Sequence, residues 1–507
     1  MDDLICGYSL DDMQKGIVLD DSKYLLVIAG AGSGKTLTIL GKINYLIKYR
    51  SVKEEEILCI SFTNKACDSL RSKIKGMGYD VLVYTFHKLS LDILGSHGFD
   101  FDICEGTLLE DVIDKFFNVD VLEYPFIMKR IMNYFDFLYR WDVVKCYQQF
   151  LRDCFYKIEL LKRNVTTFLR LFKCNGFVLD DFNSFLKKIR SKKYGKFKDN
   201  KIFLMICVNV YIKYMDILRD NNMVDFDDMI LRATDVVHDK GLKSKIKYVI
   251  IDEYQDTSYI RFCLIKEIVN STLCNLLVVG DDFQSIYRFT GCNLSLFIDF
   301  KDYFDNSKVM KIENTYRNSQ ELIDLAGCFI MKNDCQIKKM LVSEKHFADP
   351  VRIVYYEKIK DDFKELIVNV YEEFGGPIMI LGRNNSDINM VLDDELVLDG
   401  ERVIFLRNKD IDMYYMTVHK AKGLEENVVI VINLNDDYLG FPSKIQDSRV
   451  FRLVSDSSFE YPFDEERRLF YVAITRTKSC CFLFSSKKRP SLFVLEMEKI
   501  MKAKKKN

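Results

Sequence analysis

Ile28-Ala29-Gly30-Ala31-Gly32-Ser33-Gly34-Lys35-Thr36 decides how the rest of the chain is read. An apolar run from Tyr24 to Ala29 precedes it and predicts a buried strand. The stretch from Leu37 to Lys48 that follows is compatible with a helix. Glycines let the backbone fold tightly, so that successive N–H groups point inward at phosphate oxygens. The helix start adds free N–H groups and the positive end of its dipole. In such a loop Lys35 reaches the β- and γ-phosphates of a nucleotide, and the Thr36 hydroxyl sits on Mg²⁺. A glycine-rich turn that binds nothing does not need strand, loop, Lys-Thr and helix in this order.

The chain has 507 residues, room for about three domains. A hydrophobic content of 48% fills sizeable cores, and a net charge of -1 leaves no global basic field, so any nucleic-acid surface must be local. Fifteen cysteines include no Cys-x-x-Cys pair, which argues against a metal or disulfide framework. Free thiols in this number suit a reducing compartment, and a cytoplasmic location is expected. Met1-Asp2-Asp3 is acidic, unlike a signal peptide. No apolar run approaches the roughly 20 residues needed to cross a bilayer, so no membrane partner is expected.

Strand and helix alternate through most of the chain, which predicts an α/β fold with parallel sheets flanked by helices. Ile57 to Phe62 reads as a buried strand ending in Thr63-Asn64-Lys65. Val81 to Thr85 reads as another, ending in Phe86-His87. Ligands of open α/β sheets bind outside the carboxyl ends of strands, so these aromatic, hydroxyl, amide and imidazole groups are candidates as well as core and cap residues. Tyr248 to Ile251 leads into Asp252-Glu253-Tyr254-Gln255-Asp256. There Asp252 is expected to hold Mg²⁺ and Glu253 to orient and deprotonate the attacking water. Leu276 to Val279 ends in Gly280 to Phe289, where Gln284 is placed to contact a γ-phosphate, with Tyr287 and Phe289 close by in sequence.

From Leu89 to Met223 the period is helical, strand signals are few, and the only tryptophan, Trp141, occurs. A helical insertion is expected. Within it, Lys187 to Lys201 carries Lys187, Lys188, Arg190, Lys192, Lys193, Lys196, Lys198 and Lys201 against Asp199 alone. The run reads either as a solvated face or as a patch that tracks phosphates. The second half repeats the strand–helix alternation without a phosphate loop. Its predicted strands are 351–355, 378–381, 403–406, 415–418, 428–432 and 481–484. Arg317 and Arg476 are its candidate arginine fingers.

In this order the pieces resemble the UvrD/Rep/PcrA group of superfamily 1 DNA helicases. The resemblance runs from Gln14 to Arg476. It rests on 29–36, Phe62-Thr63-Asn64-Lys65, Thr85-Phe86-His87, Asp252 to Asp256, Gly280 to Tyr287, Ala421-Lys422-Gly423-Leu424-Glu425 and Tyr471 to Arg476. It implies two RecA-like domains that share ATP. Gln14 is then the adenine-reading glutamine, Tyr316 stacks on adenine, Arg317 and Arg476 reach the γ-phosphate, Gln284 senses it, and Glu425 contacts the ribose. Ala29, Gly30, Ala31, Gly32, Ser33, Gly34, Lys35 and Thr36 cradle the phosphates, with Thr36 and Asp252 on the metal. Phe62, Tyr287 and Phe289 stack on bases. Thr63, Asn64, Thr85, His87 and His419 contact the strand.

The resemblance also implies 3′→5′ movement on single-stranded DNA and action at single/double-strand junctions. It divides the chain into a first RecA-like domain at 1–88 and 222–292, a helical accessory insertion at 89–221, and a second RecA-like domain at 293–383 and 411–498. A connector at 384–410 stands where family members carry a second accessory domain, and 499–507 is a basic tail. Departures from the family pattern are Leu37 for an arginine, Phe289 for a tryptophan, Thr290 for an arginine and Lys420 for a small residue. The expected function is an ATP-dependent DNA helicase or translocase in repair, recombination or replication-linked processing. The alternative is an ATP-switched DNA-binding subunit of a nuclease or anti-phage defence complex, and a nuclease or repair factor is the expected kind of protein partner.

Overall fold

The computed structural model describes residues 4–104, 106–137, 142–334, 336–445, 448–455 and 463–504. Trp141 and the tail lysines Lys505 and Lys506 lie outside them. Two large sheets organise the described chain. The strands are β1 (Tyr24–Ala29), β2 (Ile57–Ser61), β3 (Leu82–Thr85), β4 (Asp102–Ile103), β5 (Met223–Val224), β6 (Tyr248–Ile251), β7 (Asn275–Gly280), β8 (Lys308–Ile312), β9 (Val351–Tyr356), β10 (Ile378–Gly382), β11 (Leu396–Asp399), β12 (Arg402–Phe405), β13 (Met413–Thr417), β14 (Glu426–Val431) and β15 (Thr477–Ser486).

The first sheet has the order β3-β2-β6-β7-β1-β8, every pair parallel. Helices cover both of its faces, so its central strands read as continuous apolar runs. Alternate residues of β1 feed opposite cores: Leu26 and Ile28 join one, Leu25, Val27 and Ala29 the other. The second sheet has the order β11-β12-β13-β10-β14-β15-β9 and is parallel from β13 to β9. Val429 and Val431 of β14 point into one of its cores, Val428 and Ile430 into the other. This is the α/β architecture of two RecA-like domains.

Three expected boundaries are corrected. The first sheet does not end before residue 293, because Lys308–Ile312 pairs with Leu25–Ala29 as its edge strand. Lys308 and Lys311 are exposed, as suits a sheet edge, while Val309 packs on one core and Met310 and Ile312 on the other. The insertion does not start at residue 89, because helix Phe86–Ser96 grows directly from β3 and packs on helix Phe226–Lys240. Nor is 384–410 only a connector: β11 and β12 form an antiparallel hairpin that extends the second sheet through β13. Between these, residues 108–220 are predominantly helical, ending in the 24-residue helix Phe197–Asp220.

The two halves interlock. Val450, Phe451, Leu453 and Val454, from the second half, lie in the core of the helical insertion. Phe451 meets Phe168 and Phe203 at ring distances of 6.0 and 6.3 Å, and Asn175 Nδ2 donates to the Val454 carbonyl at 2.9 Å. Conversely Phe283 and Ile286, just beyond β7, lie in a core of the second sheet.

Candidate nucleotide and nucleic-acid site

The loop after β1 depends on two glycines. Gly32 and Gly34 have φ of +71° and +76°, where a side chain is strained. A Cβ at Gly32 would also lie 2.4 Å from Arg317 Cβ, and one at Gly34 2.7 Å from Gln14 Nε2. Helix Lys35–Arg50 starts at once, with no side-chain cap on its first N–H groups, and Thr36 stands in its first turn. Gln14 is buried: its Nε2 donates to the Ser33 carbonyl at 3.1 Å and its Oε1 accepts from Asp11 N at 3.1 Å. Its amide therefore braces the loop in this conformation.

Asp252 and Glu253 follow β6, beside the loop. Glu253 has φ of +53°, rare for a residue with a Cβ and a cost that folds tolerate at functional sites. Lys35 Nζ lies 3.1 Å from its carboxylate. Gln255 Nε2 donates to Glu253 Oε2 at 2.6 Å, and Gln255 Oε1 accepts from Asp281 N at 2.9 Å. Burial opposes the charge of Glu253, but Lys35 and Lys422 outweigh it and hold the carboxyl down at about 2. Asp252, buried next to that charge, is pushed up to about 6.

The second half supplies the arginines. Thr315 Oγ1 donates to Ala31 O at 2.7 Å and Tyr316 N to Gly32 O at 2.9 Å, so 315–317 lies across the phosphate loop. Arg317 Nε donates to Glu425 Oε2 at 2.6 Å, and Lys478 meets the same carboxylate at 3.2 Å. Glu425, expected on a ribose, thus pairs with Arg317. Tyr316 is half exposed, and its hydroxyl donates to Asp11 Oδ2 at 2.7 Å. Arg476 is 1% exposed. It donates to Gln284 Oε1 at 3.1 Å, Val472 O at 3.0 Å and Leu424 O at 3.2 Å. Burial and the neighbouring Arg317 lower its pKa to about 9.

The residues expected on a nucleic-acid strand form two groups. In one, Phe62 packs edge-on to Phe86 at 5.4 Å, and His87 lies 4.8 Å from the ring of Phe226. Thr63 Oγ1 and Thr85 Oγ1 accept from Ala66 N and Lys88 N, so both hydroxyls cap helices, while Asn64 is exposed. In the other group, Phe289 is 55% exposed and its ring meets His419 at 5.4 Å, with Tyr287 6.2 Å from both. Tyr287 comes from the first half and His419 from the second. The Tyr287 hydroxyl donates to His419 O at 3.0 Å.

Three residues were not read as site residues from the sequence. Lys422 Nζ donates to Asp256 Oδ2 at 2.5 Å and Gln284 O at 2.8 Å, and lies 4.8 Å from the face of Tyr287. It touches both the nucleotide side and the aromatic side. Arg261 holds its guanidinium over Phe62 and Phe86 at 5.4 and 5.7 Å. Lys339 is buried against Asp281 and Asp282. Only Lys422 had a local signal, its place between Ala421 and Gly423; the others are single cations whose partners are distant in sequence. The lysines of the run 187–201 are all exposed, and none of them forms an ion pair among the described residues.

Residues that could hold a divalent cation with a nucleotide are Thr36 and Asp252. Among the described residues no cluster of His, Cys, Asp and Glu forms a metal site by itself. The half-buried carboxyl of Asp252, at the strand end beside the loop, would suit a divalent cation bound together with a nucleotide.

The family described as UvrD/REP helicase N-terminal domain matches residues 10–305, and the UvrD-like helicase C-terminal domain matches residues 388–488. DNA helicase IV of Escherichia coli (strain K12) is 25% identical over 96% of this chain and 69% of its own length. The ATP-dependent DNA helicase Rep of Buchnera aphidicola subsp. Acyrthosiphon pisum (strain APS) is 27% identical over 85% of this chain, which spans 62% of that protein, less than two thirds. A probable DNA helicase of Mycoplasma pneumoniae (strain ATCC 29342 / M129 / Subtype 1) is 26% identical over 97% of this chain and 87% of its own length. No helix among the described residues is long and apolar enough to cross a membrane.

Proposed function

The chain belongs to the UvrD/REP helicase family, and from that premise we propose that it is an ATP-dependent translocase and helicase on single-stranded DNA, moving 3′→5′ in repair, recombination or replication-linked processing. One observation carries the reading. Arg317 and Arg476, both from the second half, stand at the phosphate loop and at Gln284 of the first half.

Each residue has a distinct task. Glu253, ionised at any physiological pH and oriented by Gln255, accepts the proton of the attacking water. Lys35 and the loop N–H groups hold the phosphates. Thr36 and Asp252 would hold Mg²⁺, which would supply neutralisation of phosphate charge when bound. Arg317 and Arg476 offset the charge that grows in the transition state, a contribution worth roughly 10³–10⁵ in rate for an arginine finger. Both come from the half that also carries His419, so movement of that half around ATP shifts His419 relative to Tyr287 and Phe289, which it already touches. Stacking on such aromatics tolerates any base, which suits sequence-independent stepping.

ATPase rates measured side by side with single-stranded DNA, duplex DNA and RNA test this. Stimulation by single-stranded DNA, abolished by Lys35→Ala, is expected. Equal rates with and without DNA would overturn the reading. Strong ATPase without displacement of a 3′-tailed duplex would favour the subunit of a nuclease or defence complex instead.

A further inference from the structure

Residues 337–343 run beside the nucleotide site and touch Asp281 and Asp282, Gly30 of the phosphate loop, Thr315 and Asn318. Near one end, the side chain of Lys339 is 2% exposed. Its ammonium pairs with Asp281 and, at 2.6 Å, with Asp282, both fully buried, and lies 3.9 Å from the Phe283 ring. Ile337 N donates to Asp282 Oδ2 at 2.8 Å. Next, Leu341 covers Gly30 so closely that a Cβ there would lie 2.6 Å from Leu341 Cδ2. Then Val342 O accepts from Thr315 N at 2.8 Å, and Ser343 Oγ donates to Asn318 O at 2.8 Å. Asn318 in turn donates to Thr477 O at 2.6 Å, beside Arg476.

Asp281 is the junction. Its N–H donates to Gln255, which holds Glu253. Its Oδ2 accepts from Gln284 Nε2 at 2.6 Å, and Gln284 Oε1 faces Arg476. Asp281 and Asp282 are adjacent buried carboxylates. Removing their shared cation leaves uncompensated charge, which a buried site relieves by protonation or by moving. Either response weakens the hold of Asp281 on the Gln284 amide.

We propose that Lys339 is a positioning residue for nucleotide hydrolysis: through Asp281 it aims Gln284, while the segment that carries it pins Thr315 to Arg317 onto the phosphate loop. This rests on the ATPase reading of the site. Lys339 has no part in binding nucleotide, so its loss acts on turnover and leaves affinity largely intact.

The test compares Lys339→Met, which keeps the aliphatic stem, with Lys339→Arg, which keeps the charge, in the full chain under single-stranded DNA. Lys339→Met is expected to lower kcat tenfold or more per folded molecule, with KM for ATP within threefold of wild type. Lys339→Arg is expected to recover a third or more of the lost rate. If Lys339→Met does not fold, pairing it with Asp282→Asn removes one stranded charge, and the same criterion applies. A kcat within twofold of wild type, or a KM rising in step with the loss of kcat, would overturn the proposal. A wild-type chain that hydrolyses no ATP removes the reading beneath it; a wild type that hydrolyses ATP no faster than Lys339→Met removes this inference alone.

Discussion

Arg476 Nη2 donates to Gln284 Oε1 at 3.1 Å, joining the helix before β15 in the second sheet to the turn after β7 in the first. The same Gln284 receives Lys422 on its carbonyl and gives its own amide to Asp281. One side chain from each half therefore reports the position of the other. Because Arg476 is already buried and held by the Leu424 and Val472 carbonyls, it needs little reorganisation to meet developing charge.

Arg476→Ala and Arg317→Ala should each lower DNA-stimulated kcat by about 10³ or more while nucleotide affinity changes far less. Steady-state ATPase beside titration with a fluorescent nucleotide separates the two. A variant that loses affinity and turnover in equal measure would show that the arginine only binds.

Phe289 is the most exposed ring of its group, with His419 edge-on to it. Phe289→Ala should weaken single-stranded DNA binding by about 1–3 kcal/mol, the range for one base–aromatic stack. It removes no charge, so the salt dependence should be unchanged. Neutralising Lys192, Lys193 and Lys196 should do the reverse and flatten the salt dependence, since each phosphate contact adds to that slope. Fluorescence anisotropy at several salt concentrations reads both.

Much of this site is visible in sequence because its parts are local. The phosphate loop needs consecutive small residues, and the buried strands around it are apolar runs that end in Asp252-Glu253 or Gly280-Asp281. Strand β8 is not visible: in Lys308-Val309-Met310-Lys311-Ile312 only Ile312 is fully buried, and with lysines at two of its five positions this edge strand reads as ordinary polar chain. Lys339 and Arg261 are also illegible, since a lone cation looks like solvated surface until the fold brings carboxylates or rings against it. Phe451 fails for the same reason: its partners Phe168 and Phe203 lie more than two hundred residues away in sequence.

His87 and His419 set an acid limit on stability. Burial, with Arg261 beside His87 and with Arg383 and Lys422 beside His419, depresses both to about 4, against an ordinary value near 6.5. Between those values the unfolded chain binds protons that the folded chain refuses, so stability falls as pH drops from 6.5 toward 4 and is fully present above 6.5. Between pH 7.5 and 4.5 the thermal midpoint of the wild type should fall relative to that of the His87→Gln, His419→Gln double variant, which lacks this contribution. An identical slope in the double variant would place the acid sensitivity elsewhere.

The segment 448–455 should behave as an anchor between the second half and the helical insertion. Phe451 is buried between Phe168 and Phe203, and Val450, Leu453 and Val454 fill the same core. Truncating a buried phenylalanine costs about 3–5 kcal/mol when the cavity cannot collapse. Here that loss falls on a contact between halves that must move relative to one another if ATP closes the site. Phe451→Ala should therefore expose the insertion helices 155–174 and 197–220 to faster hydrogen exchange, while the central strands of the first sheet keep their protection. Because the Arg476–Gln284 contact lies outside this core, basal ATP hydrolysis should fall less than strand displacement. Exchange that rises equally in helices and strands would mean that Phe451 supports the whole fold, with no selective tie to the insertion.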